Sequence, residues 1–146
     1  MAAVPSRGYL WFALRDAAVL PQTVLRMDNC GRHAPPWLGV NRCLGVEDGC
    51  AYFASDLADS AKKNELNAEG IPTVLKMDPD HPTRIAHIQG VARIPRAFDR
   101  VRRAGFNRDA VRFESWSGSA VEVPVRWRFL KEGRAALERQ TGPGLQ

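Results

Sequence analysis

Three cysteines and one histidine fall close together as Cys30-x2-His33-x9-Cys43-x6-Cys50, the ligand types of a closed structural zinc site. The wide gap between Cys43 and Cys50 departs from the two- to four-residue spacing of such sites. Both also lie in apolar stretches where a thiol serves as a small hydrophobe. Zinc is therefore not expected. The segment "NCGRH" sets the Cys30 thiol beside Arg32 and His33, which favour a thiolate, but no hydrolase signature flanks it. His81 reads as a turn residue, whereas His87 and Gln89 share one face of a strand. A second candidate is "GCAYFASDLADSAKKN" (49–64), where an apolar, strand-like run stops at Ser55 and passes into a polar helix opening at Asp56. Such a junction is either an N-cap with Tyr52 and Phe53 in the core, or a place to hold a ligand against a strand end. A third is the set Arg96, Arg100, Arg102, Arg103, Arg126 and Arg128, whose guanidinium forks suit phosphate and which otherwise form a solvated face. Neither GxGxxG nor GxxxxGK[ST] occurs, so the common phosphate loops are excluded.

The elements that must position these residues follow from periodicity. "GYLWFAL" (8–14) reads as a buried strand, and "DAAVLPQTVLRM" (16–27) as a helix opening at Asp16. The turn-rich segment 28–49 is expected to be an irregular loop with a short strand near Val40 to Val46. "CAYFAS" is then a strand, a helix runs from Leu57 to Ala68 with Gly70 as its stop, and "PTVLKMD" and "TRIAHIQGVARI" are strands. "PRAFDRVRRAGF" carries Ala97, Phe98, Val101 and Ala104 at helical spacing, with Gly105 as the C-terminal cap. "AVRFESW" and "SAVEVPVRWRF" alternate apolar and polar residues and pair through "SGS", with Pro124 near a sheet edge. A last helix spans Glu132 to Gln140. The expected fold class is α+β: a mixed, mostly antiparallel split sheet with three to four helices.

At 146 residues, 45% hydrophobic and 25% charged, the chain is expected to fold as one domain over 1–146, with disorder confined to 1–6 and 141–146. The net charge of +5, from 21 Lys and Arg against 16 Asp and Glu, suits a nucleic acid or an acidic protein partner. There is no apolar run long enough to span a membrane and no signal-peptide pattern at the start. With an odd number of cysteines added, a reducing, cytoplasmic setting is expected, without membrane partners.

"GCAYFASDLADSAKKN…GIPTVLKMD" resembles the middle of the ADP-ribosyltransferase fold, in which a strand of the form G-x-Y-F-[AT]-x-S leads into a helix of small and polar residues. "YLWFALRDAAVLPQTVL" is similar to that fold's first strand and helix, and "HIQGVARIPRAFDRV" to a later segment, so the likeness covers roughly residues 9–103. The resemblance implies NAD folded into a cleft between two small sheets, with Tyr52 stacked on nicotinamide and Ser55 hydrogen-bonded beside it. The family's first strand usually carries a His or Arg for the NAD ribose, and Arg15 is the nearest substitute. The catalytic carboxylate has Gln89, Glu114 and Glu122 as positional candidates. Glu114 is preferred over Gln89 because the developing oxocarbenium needs an anion. It is preferred over Glu122 because Glu122 shares its face with Arg126. On this reading the chain transfers ADP-ribose from NAD to a macromolecule, nucleic acid included, or to a small molecule. The alternative is a non-enzymatic basic module that binds nucleic acid or an acidic protein, with an affinity that falls steeply as salt rises.

Overall fold

The computed structural model describes residues 1–53 and 55–132. In chain order the elements are β1 (Ala2–Val4), β2 (Tyr9–Arg15), β3 (Gln22–Asn29), β4 (Arg42–Gly49), α1 (Leu57–Ala61), α2 (Glu65–Ala68), β5 (His87–Arg93), β6 (Val101–Phe106), β7 (Ala110–Ser115) and β8 (Ala120–Pro124). They divide into two compact units, one made of Met1–Asp16 with the described residues from Asp80 onward, the other of Ala17–Pro79.

The first unit holds two three-stranded antiparallel sheets, ordered β1-β2-β5 and β6-β7-β8. Its core follows from alternation. Leu10, Phe12 and Leu14 take every second position of β2 and are buried, as are Val111 and Phe113 of β7. Ala92, Ile94, Phe98 and Leu130 complete the cluster, and the Phe12 and Phe113 rings meet with centroids 5.0 Å apart. Burying one such ring contributes about 2–3 kcal/mol. Gly90 stands opposite Phe12 in the β2–β5 register, and a Cβ there would lie 2.4 Å from the ring. A glycine is what lets β5 run under a large aromatic residue.

The second unit is built differently. β3 and β4 form a two-stranded antiparallel hairpin, followed by the two short helices. Asp56 caps α1 by accepting the Asp59 amide at 2.8 Å, as the sequence signal required. Asn64 then interrupts the expected 57–68 helix and starts α2 through a reciprocal capping box with Asn67. Gly70 takes the left-handed conformation (φ 77°) after α2 ends. Thr73 joins these pieces: its hydroxyl donates to the Ser60 carbonyl at 2.7 Å and accepts from the Asn64 and Asn67 amides at 3.1 and 3.2 Å.

The expected α+β class with three to four helices is overturned. The protein is mostly β, with 38% strand in three small antiparallel sheets. Its described α-helices are two, of five and four residues. The segment 16–27 contributes β3 in place of a helix. "PRAFDRVRRAGF" makes a turn, in which the Phe98 amide reaches the Pro95 carbonyl, and then β6. Among the described residues, "CAYFAS" and "PTVLKMD" form no strand. No strand pairs with either, and the Pro72 carbonyl accepts side chains of Gln22 and Cys50 instead. Residues 1–6, expected to be disordered, supply β1 and the 3-10 turn at Pro5–Arg7. The helix read at Glu132 to Gln140 and the tail 141–146 lie outside the described residues but for Glu132. No helix among the described residues is long and apolar enough to cross a membrane.

Candidate functional site

The residues read from the sequence as an NAD site divide between the units. Tyr52 and Ser55 lie together in the loop between β4 and α1, where the Ser55 amide donates to the Tyr52 carbonyl at 3.1 Å. The Tyr52 hydroxyl donates to the Glu65 carboxylate. That bond raises the Tyr52 pKa and holds the Glu65 carboxyl below its ordinary range. Arg15 ends β2 and Glu114 lies on β7, in different sheets of the first unit. Glu114 accepts from Arg112 at 3.1 Å and faces Arg103 in register, so its carboxylate belongs to an exposed charge lattice. Glu122 is held by Asn107 at 3.0 Å, where the sequence suggested Arg126. Gln89 is exposed on β5.

The thiols are likewise separately engaged. Cys30 accepts from the Arg42 guanidinium at 3.3 Å and Cys50 donates to the Pro72 carbonyl at 3.3 Å. Burial pushes the Cys50 thiol up and keeps it protonated. Cys43 is exposed on β4, and among the described residues no group of three or more His, Cys, Asp or Glu is placed to hold a metal.

A different constellation is assembled at one end of the β6-β7-β8 sheet. Val111, Phe113 and Ser115 point into the first unit, so the next outward position belongs to Trp116, which is 59% exposed. The β6–β7 register shifts between Val101 and Arg103, and this bulge leaves two consecutive arginines, Arg102 and Arg103, exposed. The Arg100 and Arg102 guanidinium groups each lie 5.4 Å from the Trp116 ring centroid, within cation–π range.

Backbone and side-chain bonds hold this arrangement from below. The Trp116 amide donates to the Arg100 carbonyl at 3.2 Å, and the Ser117 amide to the Asp99 carboxylate at 3.1 Å. The Ser117 hydroxyl reaches the Ala97 carbonyl, and Ser115 bonds to both Ser117 and Ser119. Gly118, at φ 85°, supplies the left-handed residue that the turn requires. The Asp99 carboxyl sits below its usual range because the Arg100 and Ser117 amides stabilise its anion. Its charge is thus taken up in fixing the turn beneath the arginines.

No protein-family model matches the chain, and neither curated proteins nor solved structures contain a match. Function therefore rests on the chemistry of the site. Of the arginines read as a helix face, the structure brings Arg100, Arg102 and Arg103 together on β6 or at its edge and leaves Arg96 in the preceding turn. Trp116 was missed as a site residue. Its one sequence signal is a large aromatic residue set directly before the small residues of "SGS".

Proposed function

We propose that the first unit is a single-stranded nucleic-acid-binding module centred on Trp116. The observation that carries this reading is an exposed indole with two arginines over it, mounted on a hydrogen-bonded turn. An unstacked base offers a flat π face to the indole, and its flanking phosphates offer paired oxygens to the guanidinium forks. A duplex keeps its bases stacked and presents no such face, so the preference is for single strands. Arg103 adds a third guanidinium beside them, and beyond it the same sheet face alternates in charge, with Arg112 set between Glu114 and Glu122, so the positive surface is confined to the Trp116 end.

The NAD-transfer reading has no equal support. The strand that would deliver Tyr52 and Ser55 to a cleft is a loop, and the Tyr52 hydroxyl is engaged by Glu65. Its own test is nicotinamide release from NAD, and release that vanishes in Glu114→Gln would restore it.

The test of the module is fluorescence anisotropy with a labelled oligothymidylate, read against salt and against the matching duplex. Trp116→Ala is expected to weaken single-strand binding by about 1–3 kcal/mol, the scale of one lost base stack. Replacing Arg100 and Arg102 by Gln is expected to lower the salt slope by roughly 0.7 per phosphate released. Unchanged affinity in Trp116→Ala, or equal affinity for the duplex, would overturn the proposal.

A further inference from the structure

The β3–β4 hairpin of the second unit carries an apolar face on which Leu25, Met27 and Leu44 stand exposed and Val46 is half-buried. Asn29 and Arg42, Met27 and Leu44, Leu25 and Val46, and Thr23 and Asp48 are directly opposed at alternate rungs, so all eight side chains stand on one face. Leu25 is 65% exposed, Met27 82% and Leu44 53%. A two-stranded sheet standing alone is marginally stable in water, and an apolar face of this kind marks an interaction surface.

The charges at its ends say what fits there. Arg42 closes the face at one end, with its guanidinium also donating to Cys30 at 3.3 Å. Asp48 closes the other, accepting from the Thr23 hydroxyl at 2.7 Å. Between them lie the four apolar side chains, so the face runs from basic through apolar to acidic over about 20 Å.

We propose that this face is the interface of a two-fold homodimer, its occupant a second copy of this chain. A two-fold axis across the strands, through the centre of the Leu25, Met27, Leu44 and Val46 quartet, sets the Met27–Leu44 rung of one protomer on the Leu25–Val46 rung of its partner. The same rotation sets each Arg42 against the partner's Asp48, the self-complementarity an isologous contact needs. Eight side chains cover less than the ~800 Å² per partner of a standard interface, so the dimer dissociates in the micromolar range or above. For the nucleic-acid module proposed above, pairing would put two Trp116 sites in one particle.

Sedimentation equilibrium of the full chain from micromolar to millimolar concentration tests the dimer without reference to nucleic acid. The wild type is expected to associate reversibly to a dimer. Met27→Lys, at an exposed position with circular dichroism to confirm folding, is expected to remain monomeric. Arg42→Asp and Asp48→Arg are each expected to weaken self-association about tenfold, because each places like charges together at both ends. Mixing the two restores opposite charges at both ends, and a heterodimer at wild-type strength is expected. A monomeric wild type, a Met27→Lys chain that still dimerises, or a mixture no stronger than its components would overturn the proposal.

Discussion

The two units are held together by opposite means. In the first, nine apolar side chains of the β2, β5 and β7 strands and the segments beside them make a closed core. In the second, Val19 is the one apolar residue among the described residues that are buried, and the pieces are joined by polar bonds radiating from buried Thr73. Non-directional burial tolerates loss in small steps, whereas a buried hydroxyl with three partners loses all of them together. Exposed large apolar side chains occur in both units, among them Leu25, Met27, Leu44, Leu57 and Met77 in the second and Val91, Phe106, Trp116 and Phe129 in the first.

Changes confined to one unit show how independent these two designs are. The largest expected effect is from Phe113→Ala, which removes a fully buried ring in contact with Phe12 and costs about 3–5 kcal/mol. Hydrogen exchange should then quicken across β2, β5 and β7 while the amides of α2 keep their rates. Equal acceleration in both units would break the distinction. Thr73→Val preserves shape but strips the Ser60 carbonyl of its donor and two Asn amides of an acceptor, at about 1–3 kcal/mol. Here exchange should quicken in α1 and α2 and stay unchanged in β7, and the reverse pattern would refute the role given to Thr73.

The smallest effect concerns pH. Glu65 has a folded pKa below its ordinary 4.5, so the stability it contributes is present above that value and lost as pH falls through the lowered one. Tyr52 has a folded pKa above its ordinary 10.0, so its contribution is present below 10 and lost as pH rises through the raised value. The difference in melting temperature between wild type and Tyr52→Phe should be constant between about pH 5 and pH 9 and shrink on both sides. A difference that persists at pH 2 would show the bond to be irrelevant.

How much of this was legible in the sequence depended on whether burial imposed a period. β2 shows as a continuous apolar run, and β7 and β8 as alternating runs around Gly118, because each of these strands lines the core. β6 was misread as a helix for a specific reason. The bulge at Arg102 and Arg103 turns Val101 and Ala104 to the same side, three positions apart, and so counterfeits the helical repeat. β3 carries Leu25 and Met27 on its exposed face and Val24 on the other, which hides its alternation. The loop holding Tyr52 is apolar in composition yet has no strand beside it, and pairing is a non-local property that no window of residues contains. Trp116 was hidden for the same reason, since its arginines come from another strand.

The second unit interrupts the first between β2 and β5, and this bears on the order in which the chain folds. β6, β7 and β8 are joined by short connections and make only neighbouring hairpins. Arg15 must find His87 across some seventy intervening residues. The local meander is therefore expected to form early, with β2–β5 pairing closing the core late. Because closure cost grows only logarithmically, doubling that intervening length would cost only about 0.6 kcal/mol more. The first unit thus acts as a host that can accept long changes in what it carries, provided the ends at Arg15 and His87 still meet.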